Sequence, residues 1–268
     1  MIEVDGGERA RAYRDAYTEQ VRGQAHEGDG RTYERSGPVV RSYGNGRPGF
    51  VGYQDLQGLA GDELDTFINE QRDFFKERNE EFEWKYHGYD LPADLPERLV
   101  KAGLTPDDEE MIMIGEAADL ATDAKAPAGT KIRQVDQHDD FVRIAAMETE
   151  VWGFSHDWLV DHLAQEVKAG GIVLAAEAEA EAEDGKVVSA AWLHLNQGTE
   201  FAGLWGGSTL QEWRGRGIYK ALVAARAHKA VERGFRYLQS DTSEDSRPIL
   251  ARLGLLPVAT TTPYNWRP

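Results

Sequence analysis

The chain has 268 residues, 41% of them hydrophobic and none of them cysteine, so disulfides, thiolate catalysis and thiolate zinc sites are excluded. Its formal charge of −17, from 47 acidic and 30 basic residues, disfavours general nucleic-acid binding and fits a surface adapted to high salt, with attraction of cationic partners as a lesser effect. No run approaches the ~18 apolar residues of a membrane span, and Met1-Ile2-Glu3-Val4-Asp5 lacks the basic and apolar regions of a signal peptide, so a cytoplasmic protein without membrane partners is expected.

At roughly 150 residues per domain, the length suits two domains. Residues 1–36 are polar and Gly-rich, with room for a short helix over Arg9–Arg22 and otherwise the composition of a mobile tail. Residues 37–118 read as a first domain. Val39–Tyr43 and Phe50–Tyr53 are strands around the turn signal Gly44-Asn45-Gly46. Leu64, Phe67, Ile68, Phe74 and Phe75 give an apolar side to a helix from Asp62, its expected N-cap, to Asn79. A strand at Phe82–Tyr86, a short helix from Pro96 to Ala102 and a strand at Met111–Ile114 follow. Residues 119–130 are the expected linker, closed by Pro127 and Gly129.

The second domain is expected over 131–268. It begins with a strand at Lys131–Val135 and helices near Asp139–Val151 and Ser155–Ala169. A strand at Ile172–Glu177 leads into a Glu-Ala repeat over 177–183, read as a solvated hairpin extension. Strands at Val187–Leu195 and Phe201–Leu210 precede a long helix, Gly215–Arg233, stopped by Gly234. A strand at Tyr237–Asp241, a helix at Arg247–Leu253 and an extended pair over Leu256–Trp266 complete the order.

The stretch richest in chemical meaning is the start of the long helix. The first N–H groups of a helix lack internal partners and carry partial positive charge. Gly215 and Gly217 allow an anion close to the backbone, and Arg214 and Arg216 supply charge-assisted donors for phosphate oxygens. Two glycines there also suit a plain tight turn. No Gly-Lys-Ser/Thr follows, and the third glycine of a dinucleotide fingerprint is missing.

Arg214-Gly215-Arg216-Gly217-Ile218-Tyr219 resembles the acetyl-CoA pyrophosphate loop of the GNAT N-acetyltransferase superfamily, Arg/Gln-x-x-Gly-x-Gly/Ala, and departs from it at Tyr219. The strand before the loop, Gly203–Thr209, and the later segment Ile249–Leu255 match the family in the same order. The resemblance implies a GNAT-like α/β (α+β) fold: a mixed, mostly antiparallel twisted sheet flanked by helices. The stretches Phe82–Lys85, Leu99–Leu104 and Met111–Ile114 parallel the end of the second domain, which implies a smaller, degenerate GNAT-like first domain.

The implied activity is transfer of an acetyl group from acetyl-CoA to a primary amine of a small molecule or protein, by a monomer or homodimer with no metal. The implied cofactor residues are Gly207, Ser208, Thr209, Arg214, Gly215, Arg216, Gly217, Ile218, Tyr219 and Lys220. The family's acid, a tyrosine, falls at Leu250, which cannot protonate a thiolate; Tyr219, Ser243 or water are the substitutes. Glu200, Asp241 and His194 are candidate bases, against structural readings of His194 as a half-exposed strand residue and Asp241 as a helix cap. Trp192, Trp205 and Trp213 wall a substrate pocket or belong to the core, and Glu83, Lys85, His87 and Asp90 reach substrate or close a strand end. Loss of the acid leaves open a second function, an acyl-CoA-binding regulatory protein with weak or no catalysis; a third is an interaction scaffold without cofactor.

Overall fold

A computed structural model describes residues 4–24, 30–44, 47–179 and 185–268. The elements run α1 (Glu8–Gln20), β1 (Thr32–Ser36), β2 (Val39–Tyr43), β3 (Gly49–Tyr53), α2 (Gly61–Glu77), β4 (Phe82–His87), α3 (Leu95–Lys101), β5 (Thr105–Pro106) and β6 (Glu110–Glu116). They continue with α4 (Ala117–Leu120), β7 (Thr130–Val135), α5 (His138–Trp152), α6 (Trp158–Lys168), β8 (Ile172–Ala178), β9 (Val187–Leu195) and β10 (Phe201–Thr209). A 3₁₀ turn (Gln211–Trp213), α7 (Ile218–Glu232), β11 (Tyr237–Thr242), α8 (Arg247–Leu253) and β12 (Leu256–Trp266) complete the chain. Among the described residues no helix is long and apolar enough to cross a membrane. The chain divides into two compact units, Met1–Ile114 with Asp241–Pro268, and Gly115–Ser240.

The first unit is a mixed sheet ordered β1-β2-β3-β4-β12-β6, with β5 pairing the side of β12 near its end. β12 is antiparallel to both β4 and β6, and β3 is parallel to β4. The alternation Phe82, Trp84 on β4 and Tyr264, Trp266 on β12 sends every second side chain into one core with Leu64, Ile68 and Phe75 of α2. β12 is a single strand of 11 residues, where the sequence suggested an extended pair. It also sets the unit boundaries apart from the expected partition: the sequence placed 131–268 together, whereas residues after 240 pack with the first unit.

The first 36 residues are not simply a mobile tail. The helix expected there forms, and Ala10, Tyr13 and Tyr17, spaced to share a face, are buried. The Asp5 N–H donates to the Pro257 carbonyl at 2.7 Å. Arg22 is buried, 2.8 Å from Asp90 and stacked over Tyr53 and Tyr89. β1 adds a further strand against β2. On α2, Ala60 takes the N-cap position and Asp62 sits in the first turn, where its charge favours the helix dipole.

The second unit is a sheet ordered β11-β10-β9-β8-β7, antiparallel except for the β10–β11 pair. The start of the expected linker is structured: α4 runs into it, with Ala117 and Leu120 buried, and packs on α7. Glu177 corrects the reading of the Glu-Ala repeat. It is 9% exposed and held by Arg133 at 2.8 Å and Arg143 at 2.5 Å, with Asp140 beside both arginines. Repeat residues 180–183, like Asn45 and Gly46 of the expected turn, lie outside the described residues.

Candidate active site

β10 and β11 pair in parallel through only Phe201–Tyr237, Ala202–Leu238 and Gly203–Gln239. Beyond Gly203 the ladder stops, although the Ser240 hydroxyl still donates to the Leu204 carbonyl at 3.2 Å. On its other side β10 stays paired with β9 but changes register between Gly206 and Ser208, so Gly207 is the extra residue of a bulge. Its φ of 97° is a left-handed conformation that favours glycine, and the Tyr219 ring lies against it: a Cβ would stand 2.6 Å from Cε2.

Side chains fix this bulge from both sides. Arg226 of α7 is 1% exposed, yet it has no carboxylate beside it among the described residues. Its Nη1 donates to the carbonyls of Trp192 and Trp205 at 3.3 and 3.0 Å, and its Nε to Leu222 at 3.2 Å. Burial lowers its pKa to about 10, so it stays a cation at neutral pH. The Ser189 hydroxyl donates to the Ser208 carbonyl at 2.6 Å, and Arg214 Nε to the Thr209 carbonyl at 2.9 Å.

The loop then delivers α7 with an unfilled mouth. Gly217 is its N-cap at φ 93°, without a side-chain cap, and nothing lies within 4 Å of where a Cβ would stand. Ala221 N–H is the first to bond back, to the Gly217 carbonyl at 3.1 Å. Among the described residues, the N–H groups from Gly215 to Lys220 have no acceptor outside regular helical bonds. Arg214, Arg216 and Lys220 are exposed around them, while the nearby Glu212 carboxylate is 3.4 Å from Lys186. In a chain of charge −17, three exposed cations at a helix start form a local patch of positive charge.

The acetyltransferase (GNAT) family model matches residues 138–254. The chain carries a GNAT acetyltransferase domain over that segment. Its fold is shared with a GCN5-related N-acetyltransferase from Kribbella flavida, at 18% identity and a TM-score of 0.66, over 97% of this chain and 96% of that one. A tandem GNAT protein from the clavulanic acid biosynthesis pathway is similar at 15% identity and a TM-score of 0.62, over 91% and 84%. A GCN5-related N-acetyltransferase from Sphaerobacter thermophilus follows at 16% identity and 0.60, over 86% and 78%. No curated protein sequence matches the chain. The tandem likeness agrees with a second GNAT-like domain beside the GNAT domain.

The structure gathers Gly207, Ser208, Thr209, Arg214, Gly215, Arg216, Gly217, Ile218, Tyr219 and Lys220 at the bulge, loop and α7 start of one unit. Each candidate base is distant along its strand or already bonded. Glu200 is exposed at the opposite end of β10, 3.9 Å from Arg236. Nine residues of strand put it on the order of 25 Å from the loop. His194 bonds Glu166 at 2.9 Å, a packing pair between β9 and α6. Asp241 is already bonded to Lys85, whose ammonium also meets Glu110 at 3.2 Å, so it is neither a free base nor a helix cap. Attraction to Asp241 and Glu110 outweighs burial and raises the Lys85 pKa; burial raises that of Glu83.

Asp90 takes the His87 N–H at 2.8 Å and the Tyr53 hydroxyl at 2.6 Å, so the Glu83–Asp90 group is a bonded strand end. Ser243 is exposed in the turn before α8, 3.5 Å from the Ser246 hydroxyl. Leu250 is fully buried. Trp192 and Trp213 are core residues, while Trp205 is 42% exposed.

Sequence reasoning missed two residues at the bulge. Arg226 hides in an otherwise apolar helix face, Ala221, Leu222, Ala224 and Ala227, and only its charge among small residues could have flagged it. Glu148 lies on α5, one turn before Trp152, and looked like surface acid in an acidic chain. It is 3% exposed, with Oε2 accepting from the Trp152 indole at 2.9 Å. That indole is 3.3 Å from the Ser208 hydroxyl.

Proposed function

We propose that the chain is an N-acetyltransferase that moves an acetyl group from acetyl-CoA to a primary amine. The carrying observation is the run of acceptor-free N–H groups from Gly215 to Lys220, ringed by Arg214, Arg216 and Lys220 and continuous with the Gly207 bulge. These groups fit a diphosphate and an extended amide-bearing arm. Acetyl-CoA, when bound, supplies an acyl carbon activated as a thioester.

The roles of the protein groups follow from their chemistry. Amides at the mouth of α7 neutralise phosphate charge without a metal ion. The strand Gly207–Thr209 offers backbone groups to the pantetheine arm, and its rigidity, set by Arg226, Ser189 and Arg214, preorganises donors for charge developing on a carbonyl oxygen. Burial raises the pKa of Tyr219, so the phenol keeps its proton at neutral pH and can give it to a departing thiolate.

Calorimetric titration with acetyl-CoA tests the reading. The wild type binds, and Gly217→Asp, which sets a side chain at φ 93° and a negative charge at the mouth, weakens binding at least ~10-fold. Equal affinity in the variant removes the loop from the site, and no binding by the wild type refutes the function. Full burial of Leu250 at the family's acid position favours a second reading, an acyl-CoA-binding regulator with weak or no catalysis. Binding without thiol release across a broad panel of amines would support that alternative.

A further inference from the structure

The Glu148 carboxylate is buried and incompletely bonded. Its Oε1 is inaccessible to solvent and has no hydrogen-bond partner among the described residues. No lysine or arginine stands beside it; His156 is the titratable neighbour, and Ser208 and Trp152 are its polar contacts. A buried carboxylate oxygen without a donor is unfavourable, and the least costly remedy is a donor brought from outside the chain. Ser208, which the Trp152 indole links to this carboxylate, is where β10 resumes its ladder after the bulge.

The surface beside Glu148 is aromatic. Every exposed tryptophan and phenylalanine among the described residues lies on this unit: Trp152 (59%), Phe154 (60%), Trp158 (58%) and Trp205 (42%). Phe154 stacks on His156 at 4.6 Å, and the row of rings continues through Trp158, His162 and Trp192 at 6.0, 5.8 and 5.9 Å. Trp192 closes the row against Gly206, where a Cβ would stand 2.4 Å from its ring. The row therefore runs from solvent to the bulge. Exposed indoles and a buried carboxylate without a cation are complementary to one chemistry, a cation on a flat apolar body.

We propose that Glu148 and these rings form the acceptor site, and that the acceptor is a primary ammonium carried on an aromatic group. This rests on the N-acetyltransferase reading above. The ammonium hydrogen-bonds the carboxylate, and the exposed Trp152 indole gives way to it. The nitrogen sheds two protons. One passes to Glu148, freeing the lone pair that forms the C–N bond as the C–S bond breaks. The second leaves as the amide forms and replaces the proton that Tyr219 or a water gives to the departing sulfur, while the proton on Glu148 returns to solvent after product release. Burial holds the Glu148 pKa above the usual carboxylate range, which suits a proton acceptor.

The test uses 2-phenylethylamine, its saturated analogue 2-cyclohexylethylamine and uncharged 2-phenylethanol, titrated calorimetrically without acetyl-CoA into the full chain. The phenyl amine should bind about 2- to 12-fold more tightly than the cyclohexyl amine, through ring–ring contact, with no binding of the alcohol. Glu148→Gln, nearly isosteric, should weaken amine binding at least ~10-fold, lower kcat/KM at least ~100-fold and leave acetyl-CoA affinity within about twofold. Trp158→Ala, at an exposed position, should erase most of the phenyl preference.

Equal amine binding by wild type and Glu148→Gln overturns the proposal, as does equal binding of the two amines or of the alcohol. Acetyl-CoA binding with turnover of aliphatic amines alone leaves the acetyltransferase standing and removes this site. Glu148-dependent amine binding without acetyl-CoA binding does the reverse.

Discussion

Replacing Gly207 by alanine should damage the bulge through two separable terms. The backbone at φ 97° lies outside the regions open to alanine, a strain of about 1–3 kcal/mol. The new methyl would also stand 2.6 Å from Cε2 of Tyr219 and 3.2 Å from Cδ2, so the ring must move, an overpacking cost of about 1–3 kcal/mol. Gly207→Ala should therefore lose roughly 2–6 kcal/mol. A cycle separates the terms. Tyr219→Phe keeps the ring and leaves the penalty whole. Tyr219→Ala removes the ring, so the glycine substitution made in that background should cost less by about the steric part, 1–3 kcal/mol. Urea unfolding of the single and double variants, followed by tryptophan fluorescence, reads both numbers. A loss below ~0.5 kcal/mol for Gly207→Ala, or identical losses with and without the Tyr219 ring, would refute the packed, left-handed geometry assigned to the bulge.

Other consequences are equally direct. Lys85→Met strands Asp241 and Glu110 beside the already buried Glu83, at a cost of about 3–5 kcal/mol near neutral pH. Glu83, already raised by burial, also loses the Lys85 charge that opposes that rise, so the penalty shrinks as the pH falls and it protonates; chemical denaturation between pH ~7 and ~4 checks the sign. Glu177 behaves oppositely. Hydrogen bonds from Arg133, then Arg143, hold its pKa below the usual range, so its stabilisation is complete above ~4.3 and disappears as the pH falls through the folded value. Glu177→Gln should flatten the acid limb of a stability-against-pH curve, and an unchanged limb would place acid sensitivity elsewhere.

Much of the GNAT domain could be read from residue pattern because its signals are local. The largely apolar strands at 187–195 and 201–209 and the glycines at 215 and 217 each specify their own backbone. What escaped was set by distant partners. α1 has no strongly apolar face, and Tyr13 and Tyr17 mark its buried side only once β12 is known to lie against it. Glu177 looks like one more solvated glutamate until Arg133 and Arg143 are brought to it across the β7–β8 pair and from α5. Arg226 and Glu148 are charges that lose water on folding, and pattern reasoning places charges outside by default. Glu200 is close to β10 in sequence, and the structure puts it at the end of that strand far from the loop.

β12 sits between β4 and β6, yet it follows the whole second unit in sequence. During synthesis, strands β1–β6 emerge with a gap in the middle of their sheet, while Gly115–Ser240 is already a continuous stretch able to close its own ladder. The earlier-made half must wait, its β4 and β6 edges unpaired, until some 140 further residues leave the ribosome, about 7–30 seconds at ordinary elongation rates. Translation order and maturation order are thus inverted, and open edges held for that long are where chaperones would be needed most.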